Sequence, residues 1–248
     1  MNLQAKLLER FLRYVAITSQ SNAAVKTVPT TSGQRELAEL LKAELAELGL
    51  VDLEISEFSV LTGKLPANLP AGHHAVPAVG WVAHLDTVDV CLNADIHPHV
   101  VANYQGGDIC LNEEKQIFLK VSEHPEIEKY IGQDIVVSDG TSVLGADDKA
   151  AIANVMVALE TLANDKTIYH GDIYVCFVPD EEIGLLGAKA IDFEKFPVDF
   201  AYTIDCCEQG EVVYETFNAG SAEVYIKGIT AHPMSAKGVL VNPTLVAT

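Results

Sequence analysis

Basic residues are scarce in this chain. Its 248 residues include 16 Lys and Arg against 35 Asp and Glu, a formal net charge of −19. A surface so short of cations is a poor match for phosphate backbones, which argues against nucleic acid as a partner. Long uncharged apolar runs are missing as well. The opening stretch MNLQAKLLERFLRYVAI carries charges throughout and reads as an amphipathic helix, neither a signal peptide nor a membrane span, so no membrane partner and a cytoplasmic location are expected. There is no low-complexity tract and no internal repeat. The cysteines are odd in number (Cys91, Cys110, Cys176, Cys206 and Cys207) and form no CxxC pair. They read as reduced thiols, mostly core filler, with a metal role for Cys206 and Cys207 ranked well behind.

What is present is apolar residue at 49% of the chain, enough for a substantial α/β core. Leu3, Leu7, Leu8, Phe11, Leu12 and Val15 fall on one helical face. A second helix is predicted from Thr31-Ser32-Gly33-Gln34, which has the form of a capping box, with its stripe at Leu37, Leu40, Leu41, Leu45 and Leu48 and its stop at Gly49. Residues 51–60 alternate as a strand. After a Pro/Gly-rich loop, residues 78–83 and 172–178 read as buried parallel strands and 200–204 as a further strand, with helices at 148–163 and 188–193 between them. Alternating strands and helices predict an α/β fold, a mostly parallel sheet with helices on both faces. The pattern changes near Phe217. Residues 222–228 alternate as a half-exposed strand, and a new helix is predicted near Asn242-Pro243. The expected organisation is a catalytic domain over residues 1–216 and the start of an α+β lid over 217–248.

Four segments set metal-binding side chains at predicted strand ends. His84-Leu85-Asp86 follows the first buried strand. Residues two apart share a side of a strand, so His84 is placed to ligate while Asp86 orients the site. Gly145-Ala146-Asp147-Asp148-Lys149 lies at a strand-to-helix turn. Asp148 suits a helix N-terminus, whereas Asp147 stands just outside it, in reach of two ions. Pro179-Asp180-Glu181-Glu182 stacks three carboxylates at a strand end, where they repel one another unless solvated or bound to cations. One of Glu181 and Glu182 is free to hold a metal while the other serves as base. Asp205 ends the last strand. Each segment alone has an ordinary explanation as loop histidine, helix cap or turn aspartate. Together they put one His and at least four carboxylates on the sheet edge where open α/β sheets bind ligands. Nitrogen and oxygen donors without thiolate suit zinc and also admit manganese or cobalt.

With these motifs in place, HLDT at 84–87, GADDKA at 145–150, PDEEIG at 179–184 and YTIDC at 202–206, the chain resembles the zinc aminoacylase and carboxypeptidase G group of metallopeptidases. NYQGGDICL at 103–111, ETFNAGSA at 215–222 and AHPMSAKG at 231–238 point within that group to its tripeptide aminopeptidases. The resemblance implies two zinc ions per subunit of the complete enzyme. It assigns His84, Asp147 and Asp205 to the first ion, and Asp147 as a bridge to a second ion that Glu182 also holds. Glu181 becomes the general base, Asp86 the supporting carboxylate, and His232 a lid histidine that reaches toward substrate. It further implies a cis bond between Asp147 and Asp148, a short peptide as substrate, and a homodimer formed through the lid. Departures are Cys206 and Cys207 where the family has glycines, and no match for the histidine that the family supplies to its second ion from beyond the lid. The chain is therefore expected to be a C-terminally truncated, poorly soluble form that retains about one zinc ion or fewer and lacks activity. The rival readings are a deacylase of N-acyl amino acids and a non-catalytic metal-binding fragment.

Overall fold

The strand Ile173–Val178 shows how this sequence builds its core. Ile173, Val175 and Phe177 face one hydrophobic cluster while Cys176 and Val178, with Tyr174 beside them, face another. Period-two alternation with apolar residues on both sides is the mark of a strand buried on both faces. The computed structural model describes residues 2–72, 74, 76–206, 210–215, 218, 220 and 222–247. In it the chain divides into two compact units, Met1–Asp205 and Cys206–Thr248.

The first unit opens with helices α1 (Leu3–Val15) and α2 (Ser32–Glu47), then strands β1 (Val51–Ile55), β2 (Leu61–Leu65) and β3 (Val79–His84). An excursion follows with β4 (Pro98–Val101), β5 (Ile109–Asn112), β6 (Ile117–Leu119) and β7 (Ile135–Ser138). Helix α3 (Ala146–Asn164), β8 (Ile173–Val178) and β9 (Phe200–Thr203) complete it. The main sheet has the order β1-β2-β8-β3-β9. Strands β3, β8 and β9 are parallel, β2 pairs antiparallel with β8 and β1 antiparallel with β2, so the α/β sheet is mixed. The three long helices join one core cluster around Tyr14, Leu37, Leu41, Leu45, Ile152, Met156 and Phe177. Over the opposite face lie Phe196, Ile191, Val198 and Ala190, from a segment whose regular part is the 3-10 turn Ala188–Ala190 rather than the helix expected over 188–193.

The other departures from expectation have local causes. The predicted strand over 51–60 holds only as β1 and then gives way to a turn into β2, where Ser59 adopts φ 63 and the chain reverses. Thr31 is the N-cap of α2 but makes no capping bond. Its hydroxyl donates to the Gln20 carbonyl at 2.9 Å and accepts from Gln34 Nε2 at 3.1 Å, so the capping box does not close. The excursion pairs β4 with β7 and β5 with β6 over a small cluster of Tyr104, Ile109 and Ile127. These strands of three or four residues are too short to leave a clear period in the sequence. Of the described cysteines only Cys176 is core filler, its thiol pushed up to about 12 by burial. Cys91, Cys110 and Cys206 are exposed, and Cys207 lies outside the described residues.

In the second unit, Ile229 and Val241 form an isolated bridge, Pro233–Ser235 is a 3-10 turn, and helix α4 (Thr244–Ala247) begins beside the predicted Asn242-Pro243. Residues 222–228 form no ladder, although their pattern alternates. An isolated extended segment is unstable until a neighbour satisfies its backbone. The expected boundary at 216/217 lies outside the described residues. Among the described residues, no helix is long and apolar enough to cross a membrane.

Gly33 sets the entry of α2. A Cβ built there would stand 1.7 Å from the Thr18 carbonyl oxygen, which leaves room for a hydrogen and nothing larger. Gly33→Ala is expected to destabilise the first unit by about 1–3 kcal/mol, the usual range for overpacking a tight contact. Urea denaturation of the two proteins reads this directly, and equal midpoints would show that the loop yields freely.

Candidate metal centre

Because β3, β8 and β9 are parallel, their C-terminal ends share one edge of the sheet, and the motif residues follow them there. His84 is the last residue of β3 and 2% exposed. Its Nδ1 lies 3.0 Å from the Asp86 carbonyl oxygen and 3.3 Å from Asp86 Oδ1. With Nδ1 occupied as a donor, Nε2 is the atom turned to the site, 2.7 Å from Asp147 Oδ1 and 4.0 Å from Glu181 Oε2.

Asp147 and Asp148 sit at the start of α3 with non-helical backbone, and the peptide bond between them is cis, as the resemblance implies. Asp147 is exposed, Asp148 buried. Asp148 turns back to accept the His84 backbone N–H at 2.9 Å. His84, Asp147, Asp148 and Asp205 each offer one donor atom, and the four atoms lie within 4.8 Å of one another. Sequence reasoning assigned Asp148 to the helix N-terminus. Its contact with His84 depends on β3 and α3 packing side by side, which no local pattern reports.

Glu181 and Glu182 follow β8 and flank the same site. Their backbone N–H groups donate to Asp86, to Oδ1 at 2.9 Å and Oδ2 at 3.2 Å. Asp86 is fully buried and thus links the His84 ring to the glutamate turn. The four-residue cluster does not include Glu182. His232 belongs to the second unit, where it is exposed and its Nδ1 accepts from the Met234 N–H at 3.3 Å.

The protonation equilibria record a shortage of positive charge. Burial opposes the imidazolium of His84, but bonds to Asp147 and Asp86 and the charges of Asp148 and Asp86 outweigh it and raise the group to about 11. The bond from His84 holds Asp147 below the usual carboxylate range. Burial, with Asp205 and Asp147 nearby, pushes Asp148 up to about 8 although His84 pulls the other way. Burial and the charge of Asp147 push Glu182 up to about 7, and burial raises Glu181 too. Carboxylates packed this closely bind protons or cations. One imidazole nitrogen and three carboxylates within ligand distance fit a divalent metal ion, which would replace the proton on His84 and relieve the repulsion.

Known proteins are similar to this chain in sequence and in fold. Residues 144–248 match the model of peptidase family M20/M25/M40. The chain is 56% identical over 245 residues to a peptidase T-like protein of Yersinia pestis, covering 99% of this chain and 58% of that one. It is 47% identical over 241 residues to a peptidase T of Clostridium botulinum, covering 97% of this chain and 58% of that one. Among solved structures, a tripeptidase from Staphylococcus aureus superimposes with a TM-score of 0.57 at 25% identity over 83% of this chain and 44% of that one. The aminopeptidase PepT from Bacillus cereus does so with a TM-score of 0.56 at 24% identity, over 98% of this chain and 55% of that one. The chain thus spans 58% of the length of these two curated relatives. The match over its C-terminal part, the identity to relatives over almost its whole length and the shared fold all agree: residues 144–248 match the M20/M25/M40 peptidase family, and the chain as a whole is similar to peptidase T-like proteins.

Proposed function

We propose that the protein carrying this chain is a two-zinc aminopeptidase that releases the N-terminal residue of tripeptides. The observation that carries the reading is the meeting of His84, Asp147 and Asp205 at one sheet edge beside the paired Glu181 and Glu182. His84, Asp147 and Asp205 would hold the first ion. Asp147 and Glu182 would share the second, and Asp148 steadies the His84 backbone. Bound there, the ions would supply acidification of a water and polarisation of the peptide carbonyl.

The remaining steps belong to the chain's own residues. Glu181 accepts a proton from the attacking water and delivers it to the leaving amine. Asp86 holds the His84 ring and the backbone of both glutamates in place. His232, on the second unit, contacts substrate, and that unit forms a homodimer interface. The substrate is a short peptide, the acidic surface keeps nucleic acid away, and the protein works in the cytoplasm.

Release of free amino acid from a tripeptide, followed beside deacylation of N-acetyl amino acids, tests the proposal. Tripeptide hydrolysis is expected to dominate, to vanish on treatment with a chelator and to return with zinc. Preferential deacylation would move the protein to the deacylase branch, and bound zinc without either reaction would leave a metal-binding module.

A further inference from the structure

Residues 16–34, the connection from α1 into the first turn of α2, supply no metal-binding side chain, yet they touch three of the segments that do, those of His84, Asp147 and the Glu181–Glu182 pair. The Ile17 carbonyl accepts from Lys149 Nζ at 2.7 Å, next to Asp147 and Asp148. Ser19 Oγ donates to the Leu85 carbonyl at 2.7 Å and the Ser21 N–H to the Thr87 carbonyl at 3.1 Å, so this segment runs alongside the His84–Asp86 loop. At its far end Thr30 and Gln34 grip Asp180. The Thr30 N–H donates to Asp180 Oδ2 at 2.8 Å, and the Thr30 hydroxyl and Gln34 Nε2 (2.7 Å) both donate to Oδ1. In return the Asp180 N–H donates to Gln34 Oε1 at 2.8 Å.

This grip has a geometrical purpose. Asp180 has φ 53, a left-handed backbone that a residue with a Cβ keeps only where its surroundings hold it. Asp180 and Gln34 are both fully buried, and the bonds between them occupy the Asp180 carboxylate and N–H. The left-handed residue turns the chain so that the next two N–H groups, of Glu181 and Glu182, both meet Asp86. A relaxed Asp180 would release those amides and the two side chains that follow.

We propose that Thr30 and Gln34 are positioning residues of the metal centre: through Asp180 they fix the turn that aims Glu181 and Glu182. The proposal rests on the zinc-peptidase reading for what the two glutamates do, and on the hydrogen bonds alone for how they are held. Groups that orient metal-binding side chains commonly change metal affinity by about 10- to 100-fold when removed.

The test uses the full protein that carries this chain, with two readouts: zinc titration by calorimetry, and amide hydrogen exchange at Glu181 and Glu182. Thr30→Val keeps the shape and removes the hydroxyl. Thr30→Ser keeps the hydroxyl. Gln34→Leu removes both amide contacts, and Ser138→Ala removes a buried hydroxyl bonded elsewhere, to the Ser142 carbonyl. Thr30→Val and Gln34→Leu are expected to weaken the Glu182-dependent zinc ion about 10-fold or more and to speed exchange at both amides at least as much. Thr30→Ser should restore both readouts, and Ser138→Ala should alter neither. Unchanged exchange at Glu181 and Glu182 in folded Thr30→Val overturns the proposal, as does a Thr30→Ser protein no better than Thr30→Val. Should Gln34→Leu fail to fold, the two Thr30 variants still decide. If Glu182→Ala leaves zinc binding of the wild-type protein intact, the two-zinc reading fails, while the exchange rates still decide whether Thr30 and Gln34 hold the turn.

Discussion

Glu181→Ala is expected to lower peptide hydrolysis about 10²- to 10⁴-fold while zinc content stays at the wild-type level. In the proposed mechanism the two adjacent glutamates differ in task. Burial raises the Glu181 carboxyl above its ordinary value, with further upward pressure from Asp205, Asp86 and Asp147 and only His84 pulling down. That shift brings it toward the range where a base both accepts and returns a proton near neutrality. Its Oε2 stands 4.0 Å from His84 Nε2, beside the cluster, which includes neither glutamate. Glu182→Ala should give the opposite pattern, with zinc lost first and activity lost with it. Metal analysis after dialysis, paired with a tripeptide assay on each variant, reads both quantities. If zinc leaves with Glu181 and stays without Glu182, the two roles are exchanged.

How much of this was legible in the sequence follows from what each feature depends on. The strands carrying the site were readable because β3 and β8 are buried runs of apolar residues, and the motif residues stand at their ends. His84 and Asp147, which the resemblance assigns to one ion, lie 2.7 Å apart. The placement of Asp86 as a supporting group also has a physical counterpart in its bonds to His84 and to two backbone amides. What could not be read depends on distant partners. Asp148 joins the cluster only because α3 packs along β3. Thr30 and Gln34 sit in a loop and a helix start whose local pattern suggested capping, and their bonds to Asp180 span about 150 residues of chain. The antiparallel strand β2 is hidden behind the turn at Ser59, whose φ of 63 is a conformation serine rarely adopts and sequence rarely announces.

His84→Ala is expected to weaken zinc binding about 10²-fold or more, the largest loss from any single ligand in the site. Among the clustered residues it is the only nitrogen donor, and the carboxylates that remain form weaker, more hydrated zinc sites. The same residue sets the pH dependence of binding. In the metal-free chain the surrounding carboxylates hold a proton on His84 up to about pH 11, and a bound ion requires Nε2 without it. Zinc uptake at neutral pH must therefore release a proton, and affinity should rise with pH by about tenfold per unit for each proton displaced. The sign is fixed by this exchange: acid favours the protonated, metal-free site, and base favours the metal. Below pH 7 to 8 the slope should steepen, because burial and the charge of Asp147 raise Glu182 to about 7, and burial raises Asp148 to about 8. Each then gives up a proton of its own on binding. Calorimetric zinc titrations in buffers of different ionisation enthalpy count these protons, and a titration series from pH 6 to 8.5 gives the slope. In His84→Ala the count should fall by one and the slope should flatten above pH 8. Proton release unchanged by that substitution would show that the ion is held away from His84, and the ligand assignment around Nε2 would have to be abandoned.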